Sequence, residues 1–271
     1  MTEIAVIYLV AGVFSGFVSG LFGVGGAFAL APALIITLTI QGVADVHIMH
    51  LTIATSLATQ VMTAILTTYL RHRTGDLLLP LVGRLAPFVA VGALIGAAIG
   101  DALPGLVLKI MFIGFVTMSI VRALVQQSRR ADAGTNCDPS VARGPAVWFF
   151  ATLSGTSGGV LGPGPAILLA PQLRKLDFAM PVIAAANAFL AGLVGVMAVG
   201  GYIVGGLDEI GLPVHSLGYL YLPGFAALTV GALVGSPLGI RFSHAVRDRT
   251  HAWLFIAYLS AVLAIMLYHT I

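Results

Sequence analysis

Ser15-Gly-Phe-Val-Ser-Gly-Leu-Phe-Gly-Val-Gly-Gly-Ala-Phe-Ala-Leu-Ala-Pro32 returns in the second half of the chain as Ser154-Gly-Thr-Ser-Gly-Gly-Val-Leu-Gly-Pro-Gly-Pro-Ala-Ile-Leu-Leu-Ala-Pro171, without a gap and with nine of eighteen positions identical. The same shift lays Val91 to Gly100 over Val230 to Gly239, with six of ten positions identical. Two blocks at one offset are the mark of a duplicated chain. Each first block is an apolar run, a glycine cluster and a second apolar run. Glycine and proline at such points break a helix and free backbone groups.

The composition around these blocks names the solvent. Of 271 residues 59% are hydrophobic and 8% charged, and the mean hydropathy is +1.04. Such usage lies far from that of soluble domains and leaves no room for a soluble catalytic one. A bilayer core of about 30 Å takes roughly 20 apolar residues per helical span. Apolar segments are expected at about 4–22, 26–40, 48–70, 82–100 and 105–125, then at 145–161, 164–173, 178–204, 218–240 and 251–270. The polar stretch at 126–144 between the sets is the linker. The chain thus divides into a first transmembrane repeat at 1–125 and a second at 145–271. The first apolar run follows Met1-Thr2-Glu3 with no basic flank, so it is read as part of the mature protein. The single cysteine, Cys137, excludes an intrachain disulfide, and the pI of about 9.2 is no sign of nucleic-acid binding in a chain of this kind.

If the linker is cytoplasmic and each segment reverses direction, the cytoplasmic side collects Arg71, Arg73, Arg84, Arg122, Arg129, Arg130, Arg143, Arg174, Lys175, Arg241, Arg247 and Arg249. Only Lys109 of the thirteen basic residues falls outside. The excess of cytoplasmic Lys and Arg selects this orientation, in a bacterial inner membrane and with both termini on the outer face. At 1.5 Å per residue, 27–40 spans roughly 21 Å and 164–173 roughly 15 Å, both short of the bilayer core. Residues 4–40 and 145–173 are therefore expected to be helical hairpins that dip in and return. Each repeat then holds an odd number of crossings, and the two have opposite orientations. The fold class expected is an all-α polytopic membrane protein of two inverted-topology repeats. Each repeat is a broken or re-entrant hairpin followed by three transmembrane helices, an arrangement of alternating-access transporters.

The hairpin tips, Gly23-Val24-Gly25-Gly26 and Gly162-Pro163-Gly164-Pro165, free backbone groups that lipid cannot satisfy. A new helix opens after each, at Ala27 and at Ala166, and a helix N-terminus carries unpaired N–H groups and about half a positive charge. Two such ends facing each other make an anion cradle. Gly23, Gly25, Gly26, Ala27, Gly162, Gly164 and Ala166 are its expected backbone, although glycines also serve plain helix packing. Neutral side chains should complete it: Thr55 and Ser56 on one segment and Asn187 on its counterpart, since Ser56 and Asn187 stand at the same spacing before a glycine, Gly75 and Gly206 respectively. Ser157, before the second tip, belongs with them. Hydrogen bonding between helices is the plainer role for the same groups. No Asp or Glu lies mid-span, so no coupling ion is assigned, and nothing asks for a cofactor or metal.

Gly20 to Gly26 with Pro32, Ala54-Thr55-Ser56, Gly75-Asp76, the Gly92 to Gly100 block and the degenerate second copy together resemble the sulfite exporter TauE/SafE family over nearly the whole chain. The second copy departs from the pattern, with Gly-Pro-Gly-Pro in place of the run of glycines and Ala-Asn in place of Thr-Ser. The resemblance implies a transporter, in the exporting sense, for sulfite, organosulfonates or related small anions. The partners expected are that anion and the lipid bilayer, with no nucleic acid and with homo-oligomerisation left open. A passive anion channel and a non-transporting scaffold remain alternatives. Gly155-Thr156-Ser157-Gly158 matches a rhomboid-type nucleophile motif, but His215, His244, His251 and His269 fall in loops or at span ends, away from any base position. The chain is read as no enzyme.

Overall fold

The computed structural model describes residues 2–22, 27–127, 138, 141–245 and 248–268. Among the described residues ten helices follow one another: α1 (Thr2–Phe22), α2 (Ala27–Ile40), α3 (Asp45–Arg73), α4 (Leu79–Ala102), α5 (Gly105–Gln127), α6 (Pro145–Leu161), α7 (Ala166–Lys175), α8 (Met180–Gly205), α9 (Leu222–Ala245) and α10 (Asp248–Tyr268). Between α8 and α9, β1 (Ser216–Leu217) and β2 (Leu220–Tyr221) pair antiparallel. Among the described residues six helices are long and apolar enough to cross a bilayer: α1, α3, α4, α5, α8 and α9. The 14 residues of α2 and the 10 of α7 are not, as their lengths foretold. With 21 residues α1 reaches about 31 Å, so the first hairpin has one full-length arm and one short arm.

Helix partners are chosen across the two halves, by glycine. A Cβ at Gly12, Gly16 or Gly20 of α1 would run into the carbonyls of Leu228, Ala232 or Ser236 of α9, and Gly231, Gly235 and Gly239 stand likewise against Leu9, Val13 and Phe17. On the other side, Gly92 and Gly96 of α4 press on Thr152 and Thr156 of α6, and Gly155 and Gly159 press back on Val89 and Ala93. Without Cβ atoms in the way the backbones close to direct contact, as small residues allow in lipid, where no hydrophobic force drives helices together. Numbers rise together along both pairs, so both run parallel.

These contacts correct the register of the repeat. The contact of Gly155 on Val89 becomes that of Gly16 on Ala232 when Gly16 of α1 is laid over Gly155 of α6 and Val89 of α4 over Ala232 of α9. Gly92 on Thr152 with Gly235 on Val13, and Gly96 on Thr156 with Gly239 on Phe17, obey the same two superpositions. Gly92 thus answers to Gly235, whereas a single shift along the sequence lays it over Gly231. The match of the second blocks is therefore one helical turn out. Glycines spaced by four match nearly as well when slid by four.

The centre is α3 against α8. The Gln60 amide Nε2 donates to the Ala191 carbonyl at 3.2 Å, Gly195 faces Leu57 and Val61, and Gly192 faces Ala64. Here numbers rise on one helix as they fall on the other, so the pair is antiparallel. Around it Phe28 of α2 packs on Phe112 and Phe115 of α5, with ring centroids at 5.3 and 6.0 Å. At one end the β1–β2 hairpin folds inward with Tyr219, Leu220 and Tyr221 buried. The Tyr221 N–H donates to Thr55 Oγ1 at 3.1 Å and its hydroxyl to Gln41 Oε1 at 2.9 Å, and Gln41 Nε2 donates to the Tyr8 hydroxyl at 3.2 Å. This chain of bonds ties the α8–α9 connection to α1, α2 and α3.

Candidate functional site

Of the two tips, Gly23, Gly25 and Gly26 lie outside the described residues, so the site is built here from the second tip and from Ala27. The second tip forms because α6 stops at Gly162. This residue adopts φ +93°, a left-handed conformation that L side chains resist, and returns its N–H to the Gly158 carbonyl at 2.8 Å. Pro163 and Pro165 cannot continue a helix of their own, and α7 starts only after Pro165. All residues from Gly158 to Ala166 are buried, which is how irregular backbone survives at membrane depth.

A Cβ on Gly162 would lie 3.6 Å from the Ala27 Cβ and 4.0 Å from Ile53 and Leu57. The bend of the second hairpin thus meets the first helical residue after the first tip, beside the middle of α3. Ser56 shares the α3 face of Ile53, Leu57 and Gln60, by helical spacing. Ser56 Oγ is buried and without a hydrogen-bond partner, and so are Thr52 Oγ1, Gln60 Oε1 and Asn187 Oδ1. A buried polar atom left unpaired costs about 1–3 kcal/mol. Three of these atoms stand at positions 52, 56 and 60 of α3 and the fourth on α8, so both helices of the central pair carry polar atoms without a partner.

The other expected residues divide. Thr55 Oγ1 accepts from Tyr221 N and is fully buried, so it anchors the hairpin. Ser157 Oγ donates back to the Ser154 carbonyl at 3.1 Å, within its own helix. Ser56 and Asn187 each lie one turn before the Gln60–Ala191 crossing, on antiparallel helices. Two turns at 5.4 Å each put them about 11 Å apart along the bundle. At that separation one small anion cannot touch both at once.

A residue that sequence reasoning passed over is Arg122. Its Nη1 donates to the Ile167 carbonyl, in the first turn of α7, at 3.3 Å. The guanidinium, with its fork of donors, therefore lies next to the helix end of the tip. It stands near the end of α5, and a long side chain that reaches back from a span end is invisible in a hydropathy pattern. Tyr219, in the hairpin, stacks on His50 with ring centroids at 4.8 Å. Burial, then the carboxylates of Glu209 and Asp101, push its phenol up to about 12, so it stays neutral at physiological pH. His50 bridges helices, its ring nitrogens 3.1 Å from the carbonyls of Val46 and Leu103.

Residues 8–266 match the family model described as sulfite exporter TauE/SafE. The chain belongs to the TauE/SafE family. It is 27% identical over 234 residues to a protein of Haemophilus influenzae named "Probable membrane transporter protein", covering 85% of this chain and 86% of the relative. No solved structure matches it. This TauE/SafE protein is a transmembrane transporter, a class of protein that is not enzymatic.

Proposed function

We propose that the chain is a secondary transporter that exports small sulfur-containing anions, sulfite or organosulfonates, across the bacterial inner membrane. Its two halves act as inverted-topology repeats, with the linker cytoplasmic and both termini outside. The anion is held near the midplane by the two hairpin tips, through the N–H groups of Gly164 and Ala166 at one and of Gly23 to Ala27 at the other, with Ser56 and Asn187 as side-chain contacts. Arg122 gives a positive charge on the side of α7.

The observation that carries this reading is the approach of Gly162 to Ala27, which brings the bend of the second hairpin to the end of the first. The directions of packing agree with it: α1 parallel to α9, α4 parallel to α6, and α3 antiparallel to α8. In an inverted pair of repeats equivalent helices run oppositely, and exchange between halves gives parallel neighbours. Among the described residues the site contains no buried carboxylate, and helix ends hold an anion by only about 0.3–2 kcal/mol each. Such holding favours release over tight capture.

The test is flux of radiolabelled sulfite into proteoliposomes, with sulfonate, sulfate and chloride as competitors. Saturable flux that a sulfonate competes, and that falls in Ser56→Ala with Asn187→Ala, is expected. Flux that rises linearly with concentration identifies a passive channel, and no flux of any of these anions by folded protein ends the anion reading.

A further inference from the structure

Gln60 is not absorbed by the anion site. Its side chain is 1% exposed, and because Nε2 is committed to the Ala191 carbonyl, the remaining atom is fixed as the amide oxygen. That oxygen accepts only, has no partner, and cannot donate to an anion. Gln60 lines a cavity of about 10 Å³ together with Ser19, Thr63, Ala64, Thr67, Ala188 and Ala191. This is room for one water-sized occupant. The Thr63 hydroxyl gives its proton to the Gln60 and Thr59 carbonyls at 3.0 and 3.4 Å, so its oxygen is left with lone pairs to offer. Thr67 Oγ1 and Ser236 Oγ stand 3.4 Å apart, so that one hydroxyl donates to the other, whose oxygen accepts.

We propose that Gln60, Thr63, Thr67 and Ser19 form a site for a small monovalent cation, with Na⁺ as its probe. A wall of oxygen lone pairs suits a hard cation, which engages several at once. Among the described residues that line the cavity none is charged. A divalent ion would remain uncompensated there, whereas a single charge is served by neutral oxygens and by a nearby anion. Ser56 lies one turn along α3 from Gln60, so cation and anion would bind about 6 Å apart. This coupling rests on the anion reading above. Binding of either ion then raises the affinity for the other by the same factor. In the register that lays Ser56 over Asn187, the counterpart of Gln60 is Ala191, which has no side-chain oxygen, so the expected stoichiometry is one cation per chain.

The experiment is ²²Na⁺ binding to the purified full-length chain, alongside its thermal stability in NaCl against choline chloride at equal ionic strength. Wild type, Gln60→Met and Thr63→Val are compared, the last keeping the Gln60–Ala191 bond. One saturable site in wild type, weakened about tenfold or more in both variants that stay monodisperse, supports the proposal. So does about a tenfold gain in sulfite affinity when Na⁺ replaces choline. Absence of ²²Na⁺ binding and of any Na⁺-dependent stabilisation in folded wild type overturns it and leaves a water in the cavity. Binding unchanged in both variants overturns it too. Sulfite flux undiminished in choline, without ²²Na⁺ binding, removes the cation site and keeps anion transport. Saturable ²²Na⁺ binding without flux of any anion keeps the site and removes the anion reading.

Discussion

At Gly162 the backbone turns through a conformation that alanine adopts only at a cost of about 1–2 kcal/mol. The space there would admit a methyl group, since the nearest atoms are in ordinary contact. Gly162→Ala should therefore lower stability by about that amount through strain alone, and move the bend that meets Ala27. Thermal unfolding in detergent, paired with anion flux, reads both effects. Arg122 offers a second residue-scale outcome. Removing its charge in Arg122→Gln should weaken the anion by about 1 kcal/mol, roughly a fivefold rise in KM, with thermal stability nearly unchanged. Arg122→Lys, which keeps the charge but loses the planar fork, should recover part of the affinity. An unchanged KM in the glutamine variant would show that the guanidinium only fastens α5 to α7. Thr55, a ligand contact by sequence, accepts the Tyr221 N–H in the structure, which shows why a hydroxyl on a buried helix is ambiguous. The same Oγ can meet a substrate or a loop, and which of them arrives depends on a connection in the other half of the chain.

Elements were largely legible. The expected 145–161 and 105–125 segments reappear as Pro145–Leu161 and Gly105–Gln127, and 26–40 as Ala27–Ile40. Length and apolarity decide such boundaries in lipid. Partners were not legible, because a glycine stripe says that some backbone comes close without saying which. The spacing by four also let the repeat be matched one turn out of register. Nor did the β1–β2 hairpin leave a pattern, since strands of two residues have no period to read. The stripes make a sharp contrast testable. Gly16→Ala drives a methyl group into the Ala232 carbonyl and should cost about 1–3 kcal/mol. Gly83→Ala, on the exposed face of α4 with nothing near its Cβ, should be neutral or stabilise by up to about 1 kcal/mol. Equal thermal shifts for the two would mean that the crossings are looser than described.

Taken whole, the molecule seats helices of its first half on helices of its second. The first half holds α1 and α4, and each is seated on a helix of the second half. Residues 1–125 produced alone should therefore fail to accumulate, and co-production with 126–271 should restore a protease-resistant pair. Stable residues 1–125 by themselves would contradict the exchange. The arrangement was only partly foreseeable, since duplication shows in the identities whereas exchange depends on which stripes meet.

The stripe on α1 also sets a schedule for synthesis. Gly12 finds its neighbour at Leu228, near the far end of the chain. At about 5–20 residues per second, the ribosome needs on the order of 10–40 s to deliver it. Throughout that interval α1 stands in the membrane with a bare strip of backbone. Insertion chaperones and membrane proteases that survey half-made proteins therefore meet this strip first, and stop codons placed before Leu222 should yield fragments that are degraded however well their own helices insert.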